Sequence, residues 1–194
     1  MTVIIGIDPG KSGAIAAKFS SGEGAVVYDI PTLTVISGKG KNLKKSVDYD
    51  IPALHTLIVS LVCVARRIEP TYAVVERAEA VTYGATSARA SYHNSAQTNF
   101  SKGRGYGIIE AVLQINGVPI IASPRPGDWK RGLGLTDSSK AYVDKKEASR
   151  LMALDLYPEL ADKLSRKKDN GRAEALLLIE WLELQVQKGK ITLL

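Results

Sequence analysis

The chain opens with an apolar run, Val3-Ile4-Ile5-Gly6-Ile7, that ends on an acid, Asp8. The turn Pro9-Gly10-Lys11-Ser12-Gly13 follows at once, and a new apolar run fills Ala14 to Ala17. Such a succession reads as strand, tight turn, strand. It commits the N-terminal part to an antiparallel pair with a carboxylate held at a strand end. A second short, glycine-bearing link, Ser20 to Gly24, adds another strand. The predicted strands are therefore about 3–7, 15–19 and 25–30, joined as hairpins because short links favour antiparallel neighbours.

The pattern then changes. Residues 31–49 are polar and basic, with Gly38, Lys39, Gly40, Lys41, Lys44 and Lys45, and read as a mobile loop. Leu54, Leu57, Ile58, Leu61, Val62 and Ala65 recur at the helical period, which predicts a helix over 51–67. Tyr72-Ala73-Val74-Val75 is a short strand ending on Glu76. Residues 77–106 are rich in Ser, Thr, Asn, Gly and Tyr and give no clear period. A helix is predicted from Gly107 to Asn116-Gly117, a fifth strand over 118–122, a short turn or helix over 127–131, and helices over 144–156 and 174–187. The last is apolar nearly all round, as a helix packed into a core is. Hairpins first and βαβ units later predict one α/β domain over 1–194: a mixed five-stranded sheet, three antiparallel strands and then parallel ones, flanked by helices. This order resembles the ribonuclease H-like arrangement.

With 194 residues, of which 45% are hydrophobic, the chain is long enough for one sizeable core. Its net charge of +6 argues for affinity to polyanions. Cys63 is the single cysteine, so no internal disulfide forms; inside an apolar run it reads as a buried, inert thiol of a reducing compartment. The first strand begins at the initiator end, leaving no room for a targeting segment, and no apolar stretch is long enough to span a bilayer. These features predict a cytoplasmic, nucleoid-associated protein of a bacterial or phage-infected cell, or of an organelle if a transit peptide has been removed.

Acids delivered from distant parts of a basic chain point to a cation site acting on a polyanion. The candidates are Asp8, Glu76, Asp169 and Glu174. A few carboxylates suffice for magnesium, and such a cluster without a cation raises its own pKa values. Each has a plainer role: Asp8 in a turn, Glu76 in a salt bridge to Arg77, Asp169 as a helix cap, Glu174 as a partner of the helix dipole. Glu79 rivals Glu76 but lies beyond the strand. Asp169 and Glu174 are five apart, about 140° around a helix of 3.6 residues per turn, so both face one site only if Asp169 precedes the regular helix.

Basic residues cluster near these acids. Lys102, Arg104, Lys130, Lys145, Lys146, Lys167 and Lys168 are the candidate DNA contacts, because phosphate neutralisation by Lys and Arg gives sequence-independent affinity. Lys130 and Lys146 are also candidates to stabilise a pentavalent phosphate. The run Ser101-Lys102-Gly103-Arg104-Gly105-Tyr106-Gly107 lacks the order of a phosphate loop and reads as close packing or DNA contact. Tyr83, Tyr92 and Phe100 flank it as core or wedge residues. His55 and His93 have no partners at metal spacing.

Together, Ile5-Gly6-Ile7-Asp8-Pro9-Gly10 with Ser12-Gly13-Ala14, Val74-Val75-Glu76, Gly105-Tyr106-Gly107, Trp129-Lys130, Asp144-Lys145-Lys146-Glu147-Ala148 and the run from Arg166 to Leu177 resemble the RuvC-type Holliday junction resolvases, most closely the phage and chloroplast branch. The resemblance implies a homodimer that cuts four-way DNA junctions by paired symmetrical nicks. It also implies Mg²⁺, or Mn²⁺, at two ions per active site, held by Asp8, Glu76, Asp169 and Glu174. The bacterial pattern of two aspartates three apart is absent, since Gly171 stands three before Glu174. A broader nuclease for branched or flap DNA and a non-cleaving junction-binding module are the alternatives. A sugar-kinase-like ATPase needs a second phosphate hairpin that the chain lacks.

Overall fold

The computed structural model describes residues 2–20, 24–39, 42–65, 70–79, 95–136 and 142–193, with the backbone alone for 64–65 and 142–146. Strands β1 (Val3–Asp8), β2 (Ala14–Phe19) and β3 (Gly24–Asp29) form an antiparallel meander. Parallel to β1 runs β6 (Thr71–Val75), and parallel to β6 runs β7 (Ile120–Ala122). The sheet order is β3-β2-β1-β6-β7, the mixed five-stranded sheet the sequence predicts.

Strand β1 is central and buried on both faces. Its alternation sorts the core. Val3, Ile5 and Ile7 meet Leu54 and Ile58 of α1 (Ile51–Ala65) and Ile109 and Leu113 of α2 (Ala96–Ile115). Ile4 and Val74 of β6 face the other way, toward Leu176, Leu178 and Ile179 of α5 (Asn170–Gln187) and Ala153 of α4 (Tyr142–Leu156). Helix α5 lies close across β1. A Cβ on Gly6 would stand 2.1 Å from the Ala175 carbonyl oxygen, so this position admits only glycine. At the far side of α5, Lys18 of β2 bonds Glu180 at 2.8 Å and Glu183 at 2.6 Å.

Three expectations are corrected. Residues 31–49 are not a loop: β4 (Thr32–Ser37) and β5 (Lys44–Tyr49) pair antiparallel as a separate two-stranded ribbon. The glycine-rich run 101–107 lies inside α2, which begins eleven residues before the predicted Gly107 and is capped by Ser95 Oγ accepting from Thr98 N at 3.1 Å. Cys63 is exposed, because it falls off the α1 stripe formed by Leu54, Ile58, Leu61 and Val62. His55 is exposed as well, whereas Tyr83, Tyr92 and His93 lie outside the described residues. Among the described residues no helix is long and apolar enough to cross a membrane.

Candidate active site

The period of a strand decides where the first two acids point. In β1, Ile4, Gly6 and Asp8 share the face toward α5; in β6, Tyr72, Val74 and then Glu76 share that same face. The parallel register pairs Ile7 with Val75, and Glu76 N donates to Ile7 O at 2.9 Å. Asp8 and Glu76 are therefore neighbours at the carboxyl ends of adjacent parallel strands. That is where α/β sheets place ligands.

Helix α5 brings the third acid. Glu174, 8% exposed, lies one turn inside its start, on the stripe with Gly171, Ala175 and Leu178. This stripe faces Asp8: a Cβ on Gly171 would stand 3.3 Å from Asp8 Oδ2 and 2.7 Å from Ser12 O. Burial, with the charges of Asp8 and Glu174 beside it, pushes the Glu76 carboxyl up to about 7. The three carboxylates thus share one electrostatic site. Two neighbours oppose the shift. Trp129 Nε1, in α3 (Pro126–Gly132), donates to Glu76 Oε2 at 2.7 Å, and Lys130 adds its positive charge. Lys130 Nζ donates to Glu174 Oε1 at 2.7 Å and lies 5.0 Å from the centre of the Trp129 ring.

Asp169 stands differently. It does precede the regular helix, in a 3-10 turn over Lys167–Asp169. Yet its carboxylate accepts from Arg166: Oδ1 from Nη2 at 2.8 Å, and Oδ2 from the backbone N at 2.9 Å. Arg172 adds a contact at 3.7 Å. The Arg166 guanidinium holds this carboxyl below its ordinary range. The carboxylate thus closes the 3-10 turn onto Arg166 and makes no side-chain cap to α5. Glu79 is engaged by Arg125 at 2.7 Å.

Beside Asp8 and Glu76 opens a cleft of about 520 Å³, also lined by Lys11, Tyr49, Ser101 and Lys102. Of the candidate DNA contacts, Lys102 therefore flanks the acids. Arg104 is paired with Asp48 and Lys130 with Glu174. Lys167 and Lys168 are exposed beside the start of α5, and the side chains of Lys145 and Lys146 lie outside those described. Sequence reasoning leaves Trp129 and Asn170 without roles. A buried indole N–H needs an acceptor, which is the signal that points Trp129 toward an acid.

Among the described residues no three His, Cys, Asp or Glu side chains are already arranged to hold one metal ion. The donor set nevertheless suits a hard divalent cation. It consists of oxygens from Asp8, Glu76 and Glu174, and Asn170 Oδ1 is buried with no hydrogen-bond partner while its Nδ2 donates to Glu174 Oε1 at 3.0 Å.

This sheet order, with helices on its faces and α5 across β1, defines a ribonuclease H-like fold. Solved structures similar to it include those of RuvC. The Thermus thermophilus RuvC bound to a Holliday junction substrate superposes over 100% of both chains with a TM-score of 0.52 and 16% identity. A second structure of T. thermophilus RuvC superposes over 99% of both chains with a TM-score of 0.51 and 19% identity. The chain thus has the fold of the RuvC Holliday junction resolvases. No protein-family model matches it, and neither does any curated protein.

Proposed function

We propose that the chain, acting as one ribonuclease H-like domain over 1–194, is a structure-selective endodeoxyribonuclease that resolves four-way DNA junctions. The observation that carries this reading is the convergence of Asp8, Glu76 and Glu174, where burial and then the charges of the other two acids raise Glu76 to about 7, beside a cleft that Asp8 and Glu76 line. The similarity to a RuvC structure bound to junction DNA supports the substrate, and the +6 net charge supports a polyanion.

Asp8, Glu76 and Glu174 would hold Mg²⁺ or Mn²⁺, two ions per site, with Asn170 Oδ1 beside them. Such ions lower the pKa of a bound water and neutralise charge on the leaving oxygen. Asp8 would hold the ions from the end of β1, beside Glu76 at the end of β6 and facing the α5 stripe that carries Glu174. Asp169, engaged by Arg166, fixes the start of α5 and so the position of Glu174. Lys130 serves as the internal counter-charge of Glu174 and is placed to turn toward a phosphate. Lys102 guides the backbone into the cleft, with Lys145, Lys146, Lys167 and Lys168 as further phosphate contacts. Paired nicks require two such sites, and a two-fold homodimer supplies them. The reading places the protein where DNA recombination and repair take place, in the cytoplasm.

The test incubates the protein and Asp8→Asn with Mg²⁺ and a synthetic four-way junction, beside flap, fork and duplex controls. Symmetrical nicks on the junction by the wild type alone, with binding kept by Asp8→Asn, are the expected result. Equal cutting of flaps would shift the reading to a broader branched-DNA nuclease. Full activity of Asp8→Asn would refute the site.

A further inference from the structure

The β4–β5 ribbon has no core of its own. From Thr32 to Val47 every described residue is exposed or half-buried, and Leu33, Ile36, Leu43 and Val47 are 41%, 60%, 61% and 50% exposed. An isolated two-stranded ribbon is marginally stable in water, so its placement depends on its root. That root is fastened to the turn after Asp8. Tyr49 Oη donates to Pro9 O at 2.9 Å, and Lys11 Nζ donates to Val47 O at 2.6 Å. Asp48, the acid of the ribbon, is neutralised by Arg104 and lies 3.8 Å from Lys11.

What remains outward is cationic. Lys39, Lys44 and Lys45 are all exposed. At a rise of about 3.4 Å per residue, Lys44 stands about 17 Å along β5 from Tyr49. That is the length of about five base pairs. A two-stranded ribbon fits the major groove of a duplex. Edge lysines also deter strand pairing between molecules, which accounts for Lys44 and Lys45. It does not account for four large apolar side chains left in water beside them.

Resting on the nuclease reading above, we propose that the β4–β5 ribbon is a second DNA-binding element, which grips a duplex arm next to the cleaved strand. Lys39, Lys44 and Lys45 contact phosphates, and Ile36 and Val47, on the face of Lys45, supply apolar contact to sugars and base edges together with Leu43 just before β5. The charge favours DNA over a second copy of the chain, because two lysine-bearing ribbons repel and their acid is already paired.

The test compares the wild type with Lys39→Gln/Lys44→Gln/Lys45→Gln and, separately, Ile36→Ser/Leu43→Ser. Binding is measured with EDTA, across a salt series, to junctions with arms of about 4 and about 15 base pairs, the second of which extends past the ribbon's reach. The wild type is expected to bind the long-armed junction at least tenfold more tightly. The lysine variant is expected to lose most of that preference, with its salt slope reduced by about two to three. The apolar variant is expected to weaken long-arm binding with the slope unchanged. An arm-length preference intact in both variants would overturn the proposal, as would conversion of a dimer to monomers by either variant in light scattering. Because no cleavage is read, failure of the nuclease reading shows separately, as absence of Mg²⁺-dependent nicking by the wild type.

Discussion

Trp129 Nε1 donates a 2.7 Å hydrogen bond to Glu76 Oε2 from a side chain that is itself fully buried. The bond favours the ionised carboxylate, against burial and the charges of Asp8 and Glu174. Trp129→Phe keeps an aromatic ring and removes the donor. Glu76 then rises further above about 7. A charge-assisted hydrogen bond is worth roughly 1.5–3 kcal/mol, so the titration of Glu76 in the metal-free protein should move up by about one pH unit or more. Carboxyl titration by NMR in chelator between pH 5.5 and 9.5 checks this; an unmoved midpoint would show that Trp129 does not act on Glu76.

The same carboxylate makes stability depend on pH. Its pKa rises from an ordinary 4.5 when unfolded to about 7 when folded, so the folded state holds the proton more tightly. The neutral acid's contribution is fully present below about pH 4.5 and is lost as pH rises through about 7. Its full size is on the order of 3 kcal/mol. Glu76→Gln cannot ionise. In chelator it should melt above the wild type at pH 8 and with it near pH 4.5, while cleavage is abolished. Thermal melts at the two pH values decide the matter, and a Gln variant less stable than wild type at pH 8 would contradict it.

Asp169 answers to a different test. Its carboxylate accepts from the Arg166 guanidinium and backbone N just before α5, so Asp169→Asn should lower stability by about 1–2 kcal/mol at pH 7, and Arg166→Ala should lower it too. The two losses should not add, since both variants break one pair. The Asp169 pKa lies below its ordinary 3.8, so the stabilisation is present above that value and is lost as pH falls through the lowered one. Urea unfolding of the two single variants and the double one measures the coupling. Strict additivity would return Asp169 to the cation-binding set.

How much of this was legible follows from which signals are periodic. The continuous apolar runs Val3 to Ile7 and Tyr72 to Val75 each end on an acid, so strand and strand end could be read together, and the period of two then places both acids on one face. Helix α5 was legible from its apolar face, but not the direction of Glu174, which depends on how closely α5 crosses Gly6. The start of α2 was hidden by Gly103, Gly105 and Gly107, which lower helix propensity. Gly105 has a tertiary reason: a Cβ there would stand 2.1 Å from Tyr49 Oη, at the root of a ribbon that the sequence shows as a polar, glycine-bearing stretch. One misreading thus concealed the other. Arg166 and Trp129 bind their acids through geometry that sequence order does not contain.

Two glycines on helices separate a structural role from mere tolerance. A Cβ on Gly171 would meet Ser12 O at 2.7 Å, Gly13 Cα at 3.0 Å and Asp8 Oδ2 at 3.3 Å, whereas one on Gly103 would meet nothing within 4 Å. Backbone atoms cannot step aside as the end of a side chain can. In Gly171→Ala either α5 retreats or the Asp8 turn does, and both separate Asp8 from Glu174. The expected cost is about 1–3 kcal/mol of stability. Cleavage should fall about a hundredfold, because a small misplacement of reacting groups costs that much. Gly103→Ala, the same substitution on open helix surface, should stabilise by about 0.5–1 kcal/mol. Denaturant unfolding and single-turnover cleavage of the two variants, side by side, give both numbers. If Gly171→Ala cleaves at the wild-type rate, the close approach of α5 to Asp8 does not position the reacting groups, and the site must be built another way.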